Sequence, residues 1–138
     1  MKTLSIIFII VTATFVNIYA QEPESKSSET EACAIHELEV KTDVDLQEFE
    51  AFVMKEIAPI YNKMKGQKFL LVKGDRGMRT NKYAIILTFK SIKDRNRIYP
   101  PSGELVGDFG SEATWDKFGS MLINGMGEAH TDYVLVVH

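Results

Sequence analysis

One cysteine, Cys33, is all that this 138-residue chain carries. A lone thiol cannot form an internal disulfide, so the fold must hold by burial. Cys33 is therefore a spare thiol or an intermolecular link. No Asn-x-Ser/Thr sequon occurs, and N-glycosylation is not expected. Excess positive charge is missing as well: 16 Lys and Arg face 19 Asp and Glu, a net charge of −3. Nucleic-acid binding needs a basic face and is not expected. The cations between Lys63 and Arg97 are interleaved with acids and read as solvated surface. Nothing resembles a nucleophile elbow, a P-loop or a zinc spacing, so no cofactor and no metal is expected. Asp108-Phe109-Gly110 imitates the magnesium triplet of kinases, but no other kinase element accompanies it.

Long apolar runs are confined to the first twenty residues. Lys2 supplies a positive start, Leu4 to Val11 is nearly unbroken apolar sequence, and Ala20 precedes an abrupt polar shift at Gln21. Charge, apolar core and small residue make the order of a cleaved secretory signal peptide, residues 1–20. Thr12, Thr14 and Asn17 interrupt the run, which argues against a stable membrane span. Residues 21–33 read as a disordered tether, because Gln21 to Glu31 has no large apolar side chain. Removing Lys2 leaves 16 − 1 = 15 cations against 19 acids, a mature net charge of about −4. The expectation is an exported protein, periplasmic or secreted, with one domain over residues 34–138.

Within that domain the pattern alternates between strand and helix. Ala34 to Val40 predicts a first strand. Asp45 as N-cap with Glu48 three residues on, and Val44 with Phe49, predict a capped and stapled helix. Its stripe is Leu46, Phe49, Val53, Ile57, Ile60 and Met64, with a kink near Ala58 imposed by Pro59 and a stop at Gly66. Gln67–Lys73 and Lys82–Phe89 predict a hairpin. Ser91 with Asp94, and later Ser111, open two more helices; Trp115, Phe118 and Leu122 mark the second one's stripe. Asp132 to Val137 predicts the last strand. The order strand, helix, strand, strand, helix, strand is the ferredoxin-like β-α-β-β-α-β arrangement, an α+β fold. Its four-stranded antiparallel sheet carries its helices on one face.

The strands do not alternate as such a sheet requires. Tyr83, Ile85, Leu87 and Phe89 are apolar on one face, but so are Ala84 and Ile86 on the other. Phe69 and Leu71 oppose Leu70 and Val72, and Tyr133 and Leu135 oppose Val134 and Val136. A sheet covered on one side should read apolar-in, polar-out. Soluble monomers avoid a large uncovered apolar face. Hiding a few hundred Å² at about 25 cal/mol per Å² favours association by several kcal/mol. The expectation is a homodimer that pairs sheet to sheet.

Three features together resemble the dimeric α/β-barrel proteins: the element order, the Lys73-Gly-Asp-Arg-Gly77 corner with the Lys82-Tyr83 strand after it, and the closing Thr131-Asp-Tyr-Val134. This ferredoxin-like group includes antibiotic-biosynthesis-type monooxygenases, haem degraders and small exported proteins of unknown role. The resemblance covers roughly Ala34 to His138 and implies paired sheets, in some members with a ligand cavity. The haem degraders use an Asn, a Trp and a His. Trp115 and His130 occur here but align to no such triad, and no catalytic residue is carried over.

Candidate ligand-binding residues are Glu37, Glu39, Lys73, Arg76 and His130. Glu37 and Glu39 share a strand face by the period of two. Carboxylates on a central strand are costly unless paired. They either orient a ligand or cation, or are neutralised by Lys73 or Arg76 or by water. His36 falls on the Leu38 side and reads as a packed or peripheral histidine. His130 and Asp132 could join a metal or acid–base site, though the segment reads as a loop with a surface histidine. The corner Lys73 to Gly77 either offers N–H groups and a guanidinium to an anion or is only a glycine-permitted bend. Two functions follow. One is a non-catalytic exported dimer that binds a small or apolar ligand or an envelope partner. The other is a cofactor-independent monooxygenase- or isomerase-like enzyme that works in the barrel cavity.

Overall fold

A computed structural model describes residues 30–126 and 128–136. The expected leader, the tether up to residue 29, and Val137, the expected last strand residue, lie outside the described residues. The elements run β1 (Ala32–Leu38), α1 (Leu46–Phe52), a π-helical segment (Val53–Ile57), α2 (Ala58–Asn62), β2 (Gln67–Lys73), β3 (Tyr83–Phe89), α3 (Ile92–Ile98), α4 (Glu112–Ser120) and β4 (His130–Val134). They form one four-stranded antiparallel sheet in the order β2-β3-β1-β4. The α+β, ferredoxin-like architecture is the one the sequence predicts.

Local chemistry sets the helix starts. Asp45, Ser91 and Ser111 each accept a hydrogen bond from the backbone N–H three residues on, at 2.9, 3.0 and 3.3 Å. Each satisfies one donor that the first helical turn leaves free. Pro59 has no N–H to give Lys55. The ladder widens just upstream, and the Ala58 N–H bonds Val53 rather than Met54. The interruption therefore precedes Ala58 and is a π-helical turn, a register change that passes over the missing donor. Gly66 adopts φ +86°, and a Cβ there would lie 2.4 Å from Asp94 Cγ. Gly74 keeps an ordinary φ, but a Cβ there would lie 1.8 Å from the Arg79 carbonyl oxygen. The Lys73–Gly77 corner thus needs glycine at Gly74 for close approach of backbone.

Both outer boundaries of β1 and of β4 differ from the sequence reading, and β4 ends at Val134, short of the expected Val137. β1 starts at Ala32, so Ala32 and Cys33 belong to the sheet and not to the tether. It ends at Leu38, and Val40 makes only an isolated bridge to Leu122. β4 starts at His130, two residues earlier than Asp132, because His36 on β1 pairs with it. An edge strand is drawn out by the backbone groups its neighbour presents, which side-chain pattern does not report.

All helices pack on one sheet face. Ala32, Ala34, Leu38, Phe69, Tyr83, Ile85, Leu87 and Phe89 are buried there with Phe49, Val53, Ile57 and Phe118. Phe49 is fully buried, edge-on to Tyr83 and stacked 6.3 Å from Phe118. Trp115 lies within this aromatic packing, edge-on to Tyr61 and Phe118, so it is core and not a cofactor platform. The opposite face carries Leu70 and Val72 of β2, Ala84 and Ile86 of β3, Cys33 and Ile35 of β1, and Tyr133 of β4. Ile86 stands between Ile35 and Leu70 in register. Among the described residues, no buried side chain lies on this face.

Candidate functional site

A cavity of about 300 Å³ opens on the helix-covered side, between the sheet and α3. Ala34 and His36 of β1, Leu87 and Phe89 of β3, and His130 and Asp132 of β4 form its floor. Arg95, Asn96, Tyr99 and Pro101 form its wall. The period of two puts Ala34 and His36 on one face of β1, and antiparallel register sets Ala34 beside Asp132 and His36 beside His130. Leu87 and Phe89 come from β3 across Ala34 and Ala32. The small side chain of Ala34 leaves the space. The apolar surface is concave and the polar groups are few, which is the composition of a small-molecule site.

His36 is the best-defined polar group. Its Nδ1 lies 2.9 Å from the Met126 carbonyl oxygen. A carbonyl only accepts, so Nδ1 carries the proton. Nε2 of the neutral ring is then a lone-pair acceptor. The ring stacks on His130 with centroids 5.3 Å apart and planes 17° apart. Burial is the largest influence on His36 and pushes its pKa below 6.5; the nearby His130 lowers it further. The Met126 hydrogen bond and the Asp132 charge pull the other way. The net direction keeps the ring neutral at pH 7.

The sign of the linkage follows. Folded His36 binds protons less readily than the unfolded residue, so acid favours unfolding. Its neutral-form stabilisation is complete above pH 6.5 and is lost as the pH falls from there towards the lowered folded value. Denaturant melts of His36→Gln should therefore show a shallower stability loss between about pH 6.5 and 5 than the wild type. Equal slopes would remove His36 as the source.

On the wall, Arg95 directs Nε and Nη2 to the Asn96 side-chain oxygen, each at 3.1 Å. Among the described residues no carboxylate lies within ion-pair distance of Arg95. Tyr99 contributes its ring and is edge-on to Phe89 at 5.8 Å. Burial pushes its phenol up to about 12, so it stays protonated.

The sequence candidates separate. His130 belongs to this cavity, on strand β4 rather than in a loop, and His36 belongs there as well. Glu37 faces the opposite side and pairs with Arg79 at 3.7 Å, not with Lys73 or Arg76. Arg79 Nη2 also donates to the Leu38 and Tyr83 carbonyls, at 3.5 and 3.4 Å. That anchoring explains why it, and not its neighbours, reaches Glu37. Glu39 lies beyond the end of β1, where its backbone bonds Asn124 and Ile123. Strand alternation therefore does not pair it with Glu37. Lys73 places its ammonium 5.4 Å from the centre of the Tyr83 ring. Arg76 pairs with Asp75 on open surface, with the side chains 93% and 90% exposed. Asp108 Oδ1 accepts the Gly110 N–H at 2.9 Å and so closes a local turn. The structure does not gather Glu37, Glu39, Lys73 and Arg76 into one site. Sequence spacing does not point to Arg95, Asn96 and Tyr99, because the inner positions of α3, Lys93 to Arg97, are all polar and only the tertiary fold lays them beside Ala34. A metal-ligating group of three or more His, Cys, Asp or Glu is absent among the described residues.

No family model matches the chain, and no curated protein matches it. Solved structures do. A dimeric ferredoxin-like protein from an uncultured marine organism superposes with TM-score 0.54 at 9% identity, over 80% of this chain and 92% of that one. A NIPSNAP family protein from Agrobacterium tumefaciens gives 0.49 at 12% identity, over 78% and 85%. A provisionally assigned antibiotic-biosynthesis monooxygenase from Chloroflexus aurantiacus gives 0.46 at 10% identity, over 78% and 94%. The first of these establishes the ferredoxin-like fold and nothing of chemistry.

Proposed function

We propose that this chain is an exported homodimer that binds a small, partly apolar molecule in the cavity beneath α3. The observation that carries the reading is that cavity, about 300 Å³ in volume and mostly apolar in its walls, with the neutral His36 in its floor. Few convergent polar groups in an apolar concavity favour binding over mere packing. Export rests on the order of charge, apolar core and small residue over residues 1–20. Dimerisation rests on the apolar face of Leu70, Ile86 and Ile35, from which the buried core is absent among the described residues. The ferredoxin-like protein from the uncultured marine organism is itself described as dimeric. A sheet-to-sheet dimer leaves the α3 cavity open in each subunit, so the ligand site is separate from the space between subunits.

One feature favours a catalytic version of the same site. A neutral imidazole lining the cavity, with Nδ1 committed to the Met126 carbonyl, keeps Nε2 as the atom that can take a proton from a bound substrate. Chemistry of the cofactor-independent monooxygenase or isomerase kind would then run under α3 and not in the barrel.

Ligand-observed NMR against a library of small organic fragments tests the binding reading, with methyl shifts read on the same samples. Hits should move the Ala34 and Leu87 methyls. Hits that move only Ile35, Ile86 and Leu70 would place binding between the sheets and overturn it, as would the absence of any hit.

A further inference from the structure

The cavity is polarised, and its polarity specifies a ligand class. This inference rests on the binding reading above. On the strand side stand two acceptors: Nε2 of the neutral His36, whose Nδ1–H is committed to Met126, and the Asp132 carboxylate. On the helix side stands a cation, Arg95, held by the amide of Asn96 and by no carboxylate among the described residues. Between them the surface is apolar: Ala34, Leu87, Phe89 and the Tyr99 ring. A ligand that fits must offer an anion towards α3, an apolar body, and an O–H or N–H donor towards β1 and β4. Charge-assisted hydrogen bonds from a guanidinium are the strongest contacts available here. An acceptor that a bound ligand covers without offering it a donor loses the hydrogen bonds it had in water. We infer that the cavity takes a small carboxylic acid with an apolar, ring-sized body and a hydrogen-bond donor at its far end. Asp132 repels a second negative charge at the strand end, so diacids are disfavoured.

Three probes of near-equal size separate the contributions: phloretate, which has acid and hydroxyl; hydrocinnamate, which has only the acid; and para-ethylphenol, which has only the hydroxyl. Titration calorimetry on the full dimer should rank phloretate about tenfold tighter than either of the others. Arg95→Gln should erase the advantage over para-ethylphenol and leave that over hydrocinnamate. His36→Phe should do the reverse. Circular dichroism of both variants checks that they fold. Methyl shifts at Ala34 and Leu87 accompany each titration. If all three probes shift those methyls with equal affinity, the cavity binds ligands but the acid-and-donor class is wrong. If the variants leave the ranking unchanged, the assignment of Arg95 and His36 is overturned. If none of the probes moves those methyls, the inference fails; fragment hits there would still uphold the binding reading.

Discussion

Ile86→Glu should convert the protein from dimer to monomer. Ile86 lies in β3, an inner strand, between Ile35 and Leu70 on the face away from the helices. In a twofold pairing of these sheets, two new carboxylates would be buried near each other without partners. An uncompensated buried charge costs about 3–5 kcal/mol. Each 1.4 kcal/mol is a factor of ten, so the dimer should weaken by about a thousandfold or more. Sedimentation at micromolar concentration should report half the wild-type mass. The subunit core lies on the other face, so circular dichroism should remain that of a folded domain. Met78→Glu, on a fully exposed loop side chain, is the control and should leave the mass unchanged. A wild-type monomer, or an Ile86→Glu dimer of undiminished affinity, would remove the sheet-to-sheet partnership.

Phe49→Ala should give the largest loss of subunit stability. Phe49 is wholly buried where α1, β3 and α4 meet, against Tyr83 and Phe118. Truncating such a ring removes its transfer free energy and leaves a cavity that rigid neighbours fill only in part, at about 3–5 kcal/mol. For a domain near a hundred residues, that lowers Tm by more than about 10 °C. Phe49→Leu should recover much of the loss, since the volume change is smaller. A shift of only a few degrees for the alanine variant would mean that Phe49 is not central to the core.

The candidate site was partly legible in the residues. His130 stands out in the sequence, and spacing from Leu38 puts His36 on the helix-facing side of β1, where the structure has it. Neither could be read as a partner of the other, because β1 and β4 are almost a hundred positions apart and only antiparallel register stacks their rings. Alternation pairs Glu37 with Glu39 only if β1 runs on past Leu38, where it ends. Arg79, not Lys73 or Arg76, neutralises Glu37, because the corner at Gly74 folds the chain back and fixes Arg79 against the Leu38 and Tyr83 carbonyls.

Local and periodic information lies within a few neighbours, and the chain carried it openly. Helix caps at Asp45, Ser91 and Ser111, the break ahead of Pro59, the strand order of types and the doubly apolar strands all follow from spacing and side-chain chemistry. The site depends on what meets across the fold. A short polar helix laid over one alanine made the cavity, and edge pairing brought two distant imidazoles together. Those contacts are set by backbone geometry and long-range packing, which no run of neighbouring residues encodes.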